Sequence, residues 1–120
     1  VQFFTPGIPQ VYYVGLFAGR NDFDYFRETG QARDVNRHNY SLEEIEEAFK
    51  CPVVKKMNRL MILRNSHPAF EGKFTLLDTD EHTLGLKWEN GKEWASLTVN
   101  FQTFVWEILY TQNGDVVRFE

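Results

Sequence analysis

Hydrophobic positions change rhythm along the chain, and the changes divide it into zones. In the first zone, Gln10-Val11-Tyr12-Tyr13-Val14 is apolar on both alternating sets of positions. Val and Tyr suit a pleated, buried surface, so this run predicts a strand covered on both faces, as in a parallel sheet. Pro6-Gly7 and Pro9 punctuate its start and Gly15 follows it. From Gly19 to Asn39 the composition turns to Asn, Asp, Arg and Gly, which predicts a long loop. Long ordered loops are commonly functional.

The second zone carries helical signals. Ser41 with Glu44 three positions on forms a capping box, and Glu43 adds negative charge to the first turn. Ile45 and Phe49 then share one face. Pro52 suits the first turn of a second helix, where its missing N–H costs nothing. Val53/Val54, Met57 and Leu60/Met61 recur there at helical spacing, with Lys55, Lys56 and Arg59 facing away. The plain reading of that stripe is core packing. His67-Pro68 ends the helix.

The third zone, from Gly72 onward, predicts short strands: Phe74 to Leu77, Leu84 to Trp88, Trp94 to Phe101, Phe104 to Tyr110 and Val116 to Phe119. Asn90-Gly91 and Asn113-Gly114 are hairpin signals. The zone reads as a small antiparallel unit with its own core. The lone strand of the first zone cannot stand so, because its backbone groups need neighbours.

Composition bounds what these elements can build. The 120 residues are too few for a complete (β/α)₈ barrel, which takes about 250 residues. At 42% hydrophobic the chain can bury a core, and at 16% aromatic it holds many bulky groups that need packing partners. A net charge of −4 disfavours nucleic acid or an anionic membrane as partner. The single Cys51 excludes an intrachain disulfide and a Cys-based zinc site; beside Pro52 it reads as an inert thiol. No apolar run approaches the ~20 residues of a membrane span, and no signal peptide is visible. The chain is expected to be cytoplasmic and to begin inside a larger fold. Without a secretory signal, the tripeptide Asn39-Tyr40-Ser41 is expected to stay unglycosylated.

His38, His67 and His82 lack the spacing of a shared metal site, and no glycine-rich phosphate loop is present. No metal or cofactor is expected. The densest polar stretch runs from Gly30 to Tyr40, with Arg33, Asp34, Asn36, Arg37, His38 and Asn39 close together. Such a set suits sugar hydroxyls or an anion, or else a solvated loop whose charges pair locally.

Several motifs follow one another along the chain: Gly7-Ile8-Pro9-Gln10-Val11-Tyr12-Tyr13-Val14-Gly15, Ala18-Gly19-Arg20-Asn21-Asp22, Arg33-Asp34-Val35-Asn36-Arg37-His38-Asn39-Tyr40-Ser41, Pro52-Val53-Val54-Lys55 and Arg64-Asn65-Ser66-His67-Pro68-Ala69-Phe70. Their order and spacing resemble those of the sucrose phosphorylases of the α-amylase superfamily. Ala32 and Asn39 depart from the commoner pattern, where Gly and Tyr are usual. The resemblance implies an α+β piece: residues 1–71 as the C-terminal edge of a (β/α)₈ barrel, with the eighth strand, active-site loop and final helices, and residues 72–120 as an antiparallel β C-terminal domain.

The implied activity is retaining glucosyl transfer, from sucrose to phosphate, giving glucose 1-phosphate and fructose. It runs through a covalent glucosyl-enzyme and two carboxyl groups. Those carboxyls sit on earlier barrel strands, so no catalytic residue is expected here and the chain alone is expected to be inactive. Arg33, by its place in the motif, resembles the arginine that closes the floor of the glucose pocket; Arg37 is the second candidate. The partners implied are a sucrose or glucosyl group and phosphate, with no nucleic acid and no membrane. The alternatives are a related enzyme (sucrose 6-phosphate phosphorylase, glucosylglycerate phosphorylase, sucrose hydrolase or amylosucrase) or a non-catalytic β module binding glycan or a partner. In the latter, Trp88, Trp94 and Trp106 would stack on sugars. The unpaired strand Gln10–Val14 raises a further expectation: Val1 to Val14 is helix-free and either rearranged, packed on the helices, or ordered by self-association.

Overall fold

The computed structural model describes residues 1–120. Its backbone groups into two compact units, one made of Val1–Pro9 with Leu60–Glu120 and the other of Gln10–Arg59. Helix α4, Pro52–Ser66, contributes residues to both. No helix is long and apolar enough to cross a membrane.

The unit Gln10–Arg59 is helical. Helix α1 spans Tyr13–Leu16, α2 Phe23–Thr29 and α3 Leu42–Ala48, with a 3-10 helix at Ala32–Asn36 between α2 and α3. The strand expected at Gln10–Val14 is absent: the chain is extended to Tyr12 and turns into α1 at Tyr13. A parallel strand is held by hydrogen bonds to neighbours, and this chain supplies none there. Helix α1 stops in a Schellman turn, with Gly19 N–H donating to Val14 O at 2.8 Å and Ala18 N–H to Gly15 O at 3.2 Å. The loop expected over Gly19–Asn39 also needs correction, since it contains α2 and the 3-10 turn. Asp22 caps α2 by accepting from Tyr25 N–H at 2.9 Å, and Gly30 closes it at φ +67°.

Helix α3 starts where the capping box puts it. Ser41 Oγ accepts from Glu44 N–H and the Glu44 carboxylate accepts from Ser41 N–H. Pro52 opens α4, and the helix stops before His67-Pro68.

The other unit is built on a five-stranded antiparallel meander in the order β1-β2-β3-β4-β5. The strands are β1 Lys73–Leu77, β2 Thr83–Asn90, β3 Glu93–Asn100, β4 Trp106–Gln112 and β5 Asp115–Arg118. Register pairs Leu86 with Leu97, Trp88 with Ala95, and Leu97 with Ile108, so apolar residues stand opposite one another on the buried face. The Asn113-Gly114 turn takes positive φ at both residues, as a type I′ hairpin requires. Phe104 departs from the expected strand. It is exposed at φ +58° in the β3–β4 connection, and β4 begins at Trp106.

Above the sheet, Phe4 and Phe70 meet edge to face at 5.2 Å, and Trp88 lies 6.0 Å from Phe70 and 5.3 Å from Phe74. Phe4 belongs to a 3-10 turn, Gln2–Phe4, and Phe70 to another, Pro68–Glu71. The expectation that Val1–Val14 is helix-free therefore fails at both ends of the segment. Trp88 donates its indole N–H to Phe4 O at 2.7 Å.

Candidate functional site

In the helical unit, an open cleft of about 390 Å³ is lined by Gly19, Arg20, Asn21, Asp22, Phe23, Asp24, His38 and Tyr40. His38 is its organising group. Nδ1 lies 2.9 Å from Asp22 Oδ2 and Nε2 lies 3.0 Å from Glu44 Oε1. An imidazole with a carboxylate on each ring nitrogen can satisfy both only as the cation, since the neutral ring donates once. These hydrogen bonds raise the His38 pKa above its ordinary 6.5, Asp22 first and Glu44 second. The reciprocal effect lowers Asp22, chiefly through His38 and then through the Tyr25 N–H. Glu44 is lowered too, first by the Ser41 N–H and then by His38.

Each partner is fixed by an element already in place. Asp22 is the α2 cap and Glu44 belongs to the α3 capping box. Tyr40 meets the His38 ring edge to face at 4.7 Å and Phe17 at 5.1 Å. A side chain at Gly19 would collide with the Tyr40 hydroxyl, so the close approach of backbone and phenol requires glycine.

Arg33 and Arg37 do not line this cleft. Both come from the 3-10 turn region beside it. Arg33 is exposed, with Nε 3.8 Å from the buried Asp34 carboxylate. Arg37 caps the turn, its N–H donating to Asp34 O at 3.2 Å. The turn is joined to the cleft through Asp22 N–H, which donates to Val35 O at 2.6 Å. Sequence reasoning named the arginines but missed the Asp22–His38–Glu44 group. Only part of its signal lay in the sequence: the capping box placed Glu44, but nothing in the spacing joined it to His38 or Asp22.

The other histidines stand elsewhere. His67 Nδ1 accepts from Ala69 N–H, which leaves Nε2 to donate to Thr111 O at 2.6 Å. His82 is partly exposed beside Glu81. No group of three or more His, Cys, Asp or Glu side chains is arranged to hold a metal ion. Of the three tryptophans considered for stacking on sugars, Trp88 is buried in the core, Trp94 lies under the Lys87 ammonium at 5.6 Å, and Trp106 is exposed.

No protein-family model matches the chain. Curated relatives do. A sucrose 6(F)-phosphate phosphorylase of Thermoanaerobacterium thermosaccharolyticum is 43% identical over 120 residues, covering 99% of this chain and 25% of the relative. A sucrose phosphorylase of Agrobacterium vitis is 48% identical over 101 residues, covering 84% of this chain and 21% of the relative. A glucosylglycerol phosphorylase of Marinobacter adhaerens is 43% identical over 122 residues, covering 100% of this chain and 25% of the relative. The crystal structure of a sucrose 6F-phosphate phosphorylase from Thermoanaerobacter thermosaccharolyticum superposes with a TM-score of 0.93 at 44% identity, covering 98% of this chain and 24% of that one. The chain thus spans about a quarter of the length of the relatives it matches.

Proposed function

Because the chain belongs to the sucrose phosphorylase family of glycoside phosphorylases and matches the C-terminal quarter of its members, we propose that it serves as the sugar-contacting C-terminal segment of a retaining phosphorylase. The reaction is glucosyl transfer from sucrose to phosphate. The observation that carries this reading is the near-complete match of the chain, in sequence and in backbone, to one region of these enzymes. In this reading residues 1–71 are the barrel edge and 72–120 the terminal β domain, with β1 opening at Lys73 and with Phe4 and Phe70 packing across that boundary onto Trp88.

In this reading a carboxylate attacks the anomeric carbon, a carboxylic acid protonates the departing fructosyl oxygen, and phosphate then displaces the carboxylate with overall retention. Both carboxyl groups lie in the part of the enzyme that this chain does not span. Its own contribution is Arg33. A planar, permanently charged guanidinium can bridge a carboxylate and sugar hydroxyls together. Arg33 suits the task because its side chain is exposed and its ion pair with Asp34 is long, at 3.8 Å. Arg37 is the second candidate. The substrates of the complete enzyme are sucrose and phosphate.

The test is a chimera in which this chain replaces the matching quarter of the Thermoanaerobacterium thermosaccharolyticum phosphorylase. Glucose 1-phosphate release is measured with sucrose, sucrose 6F-phosphate and glucosylglycerol as donors. Retaining glucose 1-phosphate release from at least one of these donors is expected; a folded but inactive chimera would overturn the proposal. The isolated chain is expected to release none.

A further inference from the structure

We propose that Asp22, His38 and Glu44 form a clamp that fixes the Arg33–Arg37 turn, making His38 a positioning residue for the sugar site. The inference deepens the phosphorylase reading and rests on it for the word sugar; the clamp itself is a property of this chain.

The geometry argues for a clamp in three steps. First, the turn is held at two points by one residue. Asp22 N–H donates to Val35 O at 2.6 Å in the middle of the turn, and the Asp22 carboxylate holds His38, one residue past Arg37. Second, His38 is held from the opposite side by Glu44 at 3.0 Å, so the end of the turn is strapped between the start of α2 and the start of α3. Third, the bonds that close the two ends of the turn are Asp34 N–H to Gln31 O at 2.9 Å and Arg37 N–H to Asp34 O at 3.2 Å, and a five-residue 3-10 turn holds its shape weakly without anchors from neighbouring elements.

The clamp depends on charge. Two carboxylates held on one neutral ring would leave one of them facing a lone pair rather than a donor. The charged and titratable groups facing His38 are Asp22 from the α2 cap, Glu44 from α3 and Tyr40 beside the ring, with Arg20 and Asp24 along the cleft. Loss of the His38 proton weakens both straps together. The turn then loosens, and with it the placement of the arginines.

Amide hydrogen exchange on the full chain tests this directly, read at Asp22, Asp34 and Arg37 and corrected for the intrinsic pH dependence of exchange. Protection at these amides is expected to fall about two- to fivefold as pH rises past the ordinary histidine range, the size of partly exposed ion-pair effects. His38→Gln should remove that step, and Glu44→Gln, which keeps an acceptor for Ser41 N–H, should shrink it while leaving α3 formed. A pH-independent protection in the unaltered chain, or an identical step in His38→Gln, would overturn the clamp. In the chimera, His38→Gln should raise KM for the glucosyl donor more than it lowers kcat, with a loss that grows below the histidine pKa, where the parent holds its charge. Arg33→Ala separates the two ideas. If it leaves KM unchanged, the sugar role of the turn fails while the exchange result still judges the clamp.

Discussion

Trp88 donates its indole N–H to the main-chain oxygen of Phe4, a buried bond 2.7 Å long between residues 84 positions apart. It fastens the opening 3-10 turn to the middle of β2. Trp88→Phe keeps most of the ring but leaves a buried carbonyl without its donor, which costs about 1–3 kcal/mol. Urea unfolding should show that loss with an unchanged slope. Stability equal to the parent would mean that the Phe4 carbonyl finds another donor.

Gly72 marks a second constraint near the same place. A Cβ there would overlap the Glu89 carbonyl and press on Asn90, both backbone-close neighbours in β2. Gly72→Ala should therefore displace the start of β1 and destabilise by about 1–3 kcal/mol, as overpacking commonly does. Thermal unfolding followed by far-UV circular dichroism checks it. Gly15→Ala, inside α1 where a Cβ meets nothing, is the control and should hold or modestly raise the melting temperature.

Ala18 offers the opposite case. It occupies the left-handed position of the α1 Schellman turn at φ +52°, where a side chain is disfavoured. Ala18→Gly should raise stability by up to about 1 kcal/mol, offset in part by the greater freedom of glycine in the unfolded chain. A lower melting temperature would show that the Ala18 methyl group makes contacts that outweigh its backbone strain.

Stability should also carry the signature of His38. Its folded pKa is raised, so its contribution is complete below the ordinary 6.5 and is lost as pH climbs through the raised value. Asp22 and Glu44 are lowered, so their contributions are complete above the ordinary 3.8 and 4.5 and are lost as pH falls through the lowered values. The stability gap between the parent and His38→Gln should be widest between those ranges, near pH 5 to 6, and narrow on either side. A gap that stays constant from pH 5 to pH 9 would contradict the charged form of the ring.

The third zone was the most legible part of the sequence because hairpin chemistry is local. Asn113-Gly114 and the alternation from Leu84 to Trp88 place strands with no outside information. Ser41, Glu44 and Pro52 did the same for α3 and α4. The failures share a physical cause. Gln10–Val14 reads as a strand because Val and Tyr favour one, but a strand is completed by neighbours, and the local backbone turned into α1 instead. Phe104 fitted an alternating pattern, yet the connection from β3 needed a residue at positive φ before β4 could begin. The α2 helix was masked by its polar composition, although Asp22 and Gly30 bracket it. At the candidate site, motif order nominated the arginines, which stand outside the cleft, whereas the His38 group joins residues 16 positions apart in one direction and six in the other. No single spacing rule brings those together.

On the phosphorylase reading, Arg33 contacts the sugar. The most direct measurement is kcat/KM for phosphorolysis of its best donor by the chimera carrying Arg33→Ala, beside the parent chimera and Arg37→Ala. Removing one charged group that hydrogen-bonds substrate costs about 1.5–3 kcal/mol, or roughly ten- to a hundredfold. A fall of that size for Arg33→Ala, with a smaller one for Arg37→Ala and an unchanged fold, is the predicted result. An Arg33→Ala enzyme as efficient as its parent would contradict the account.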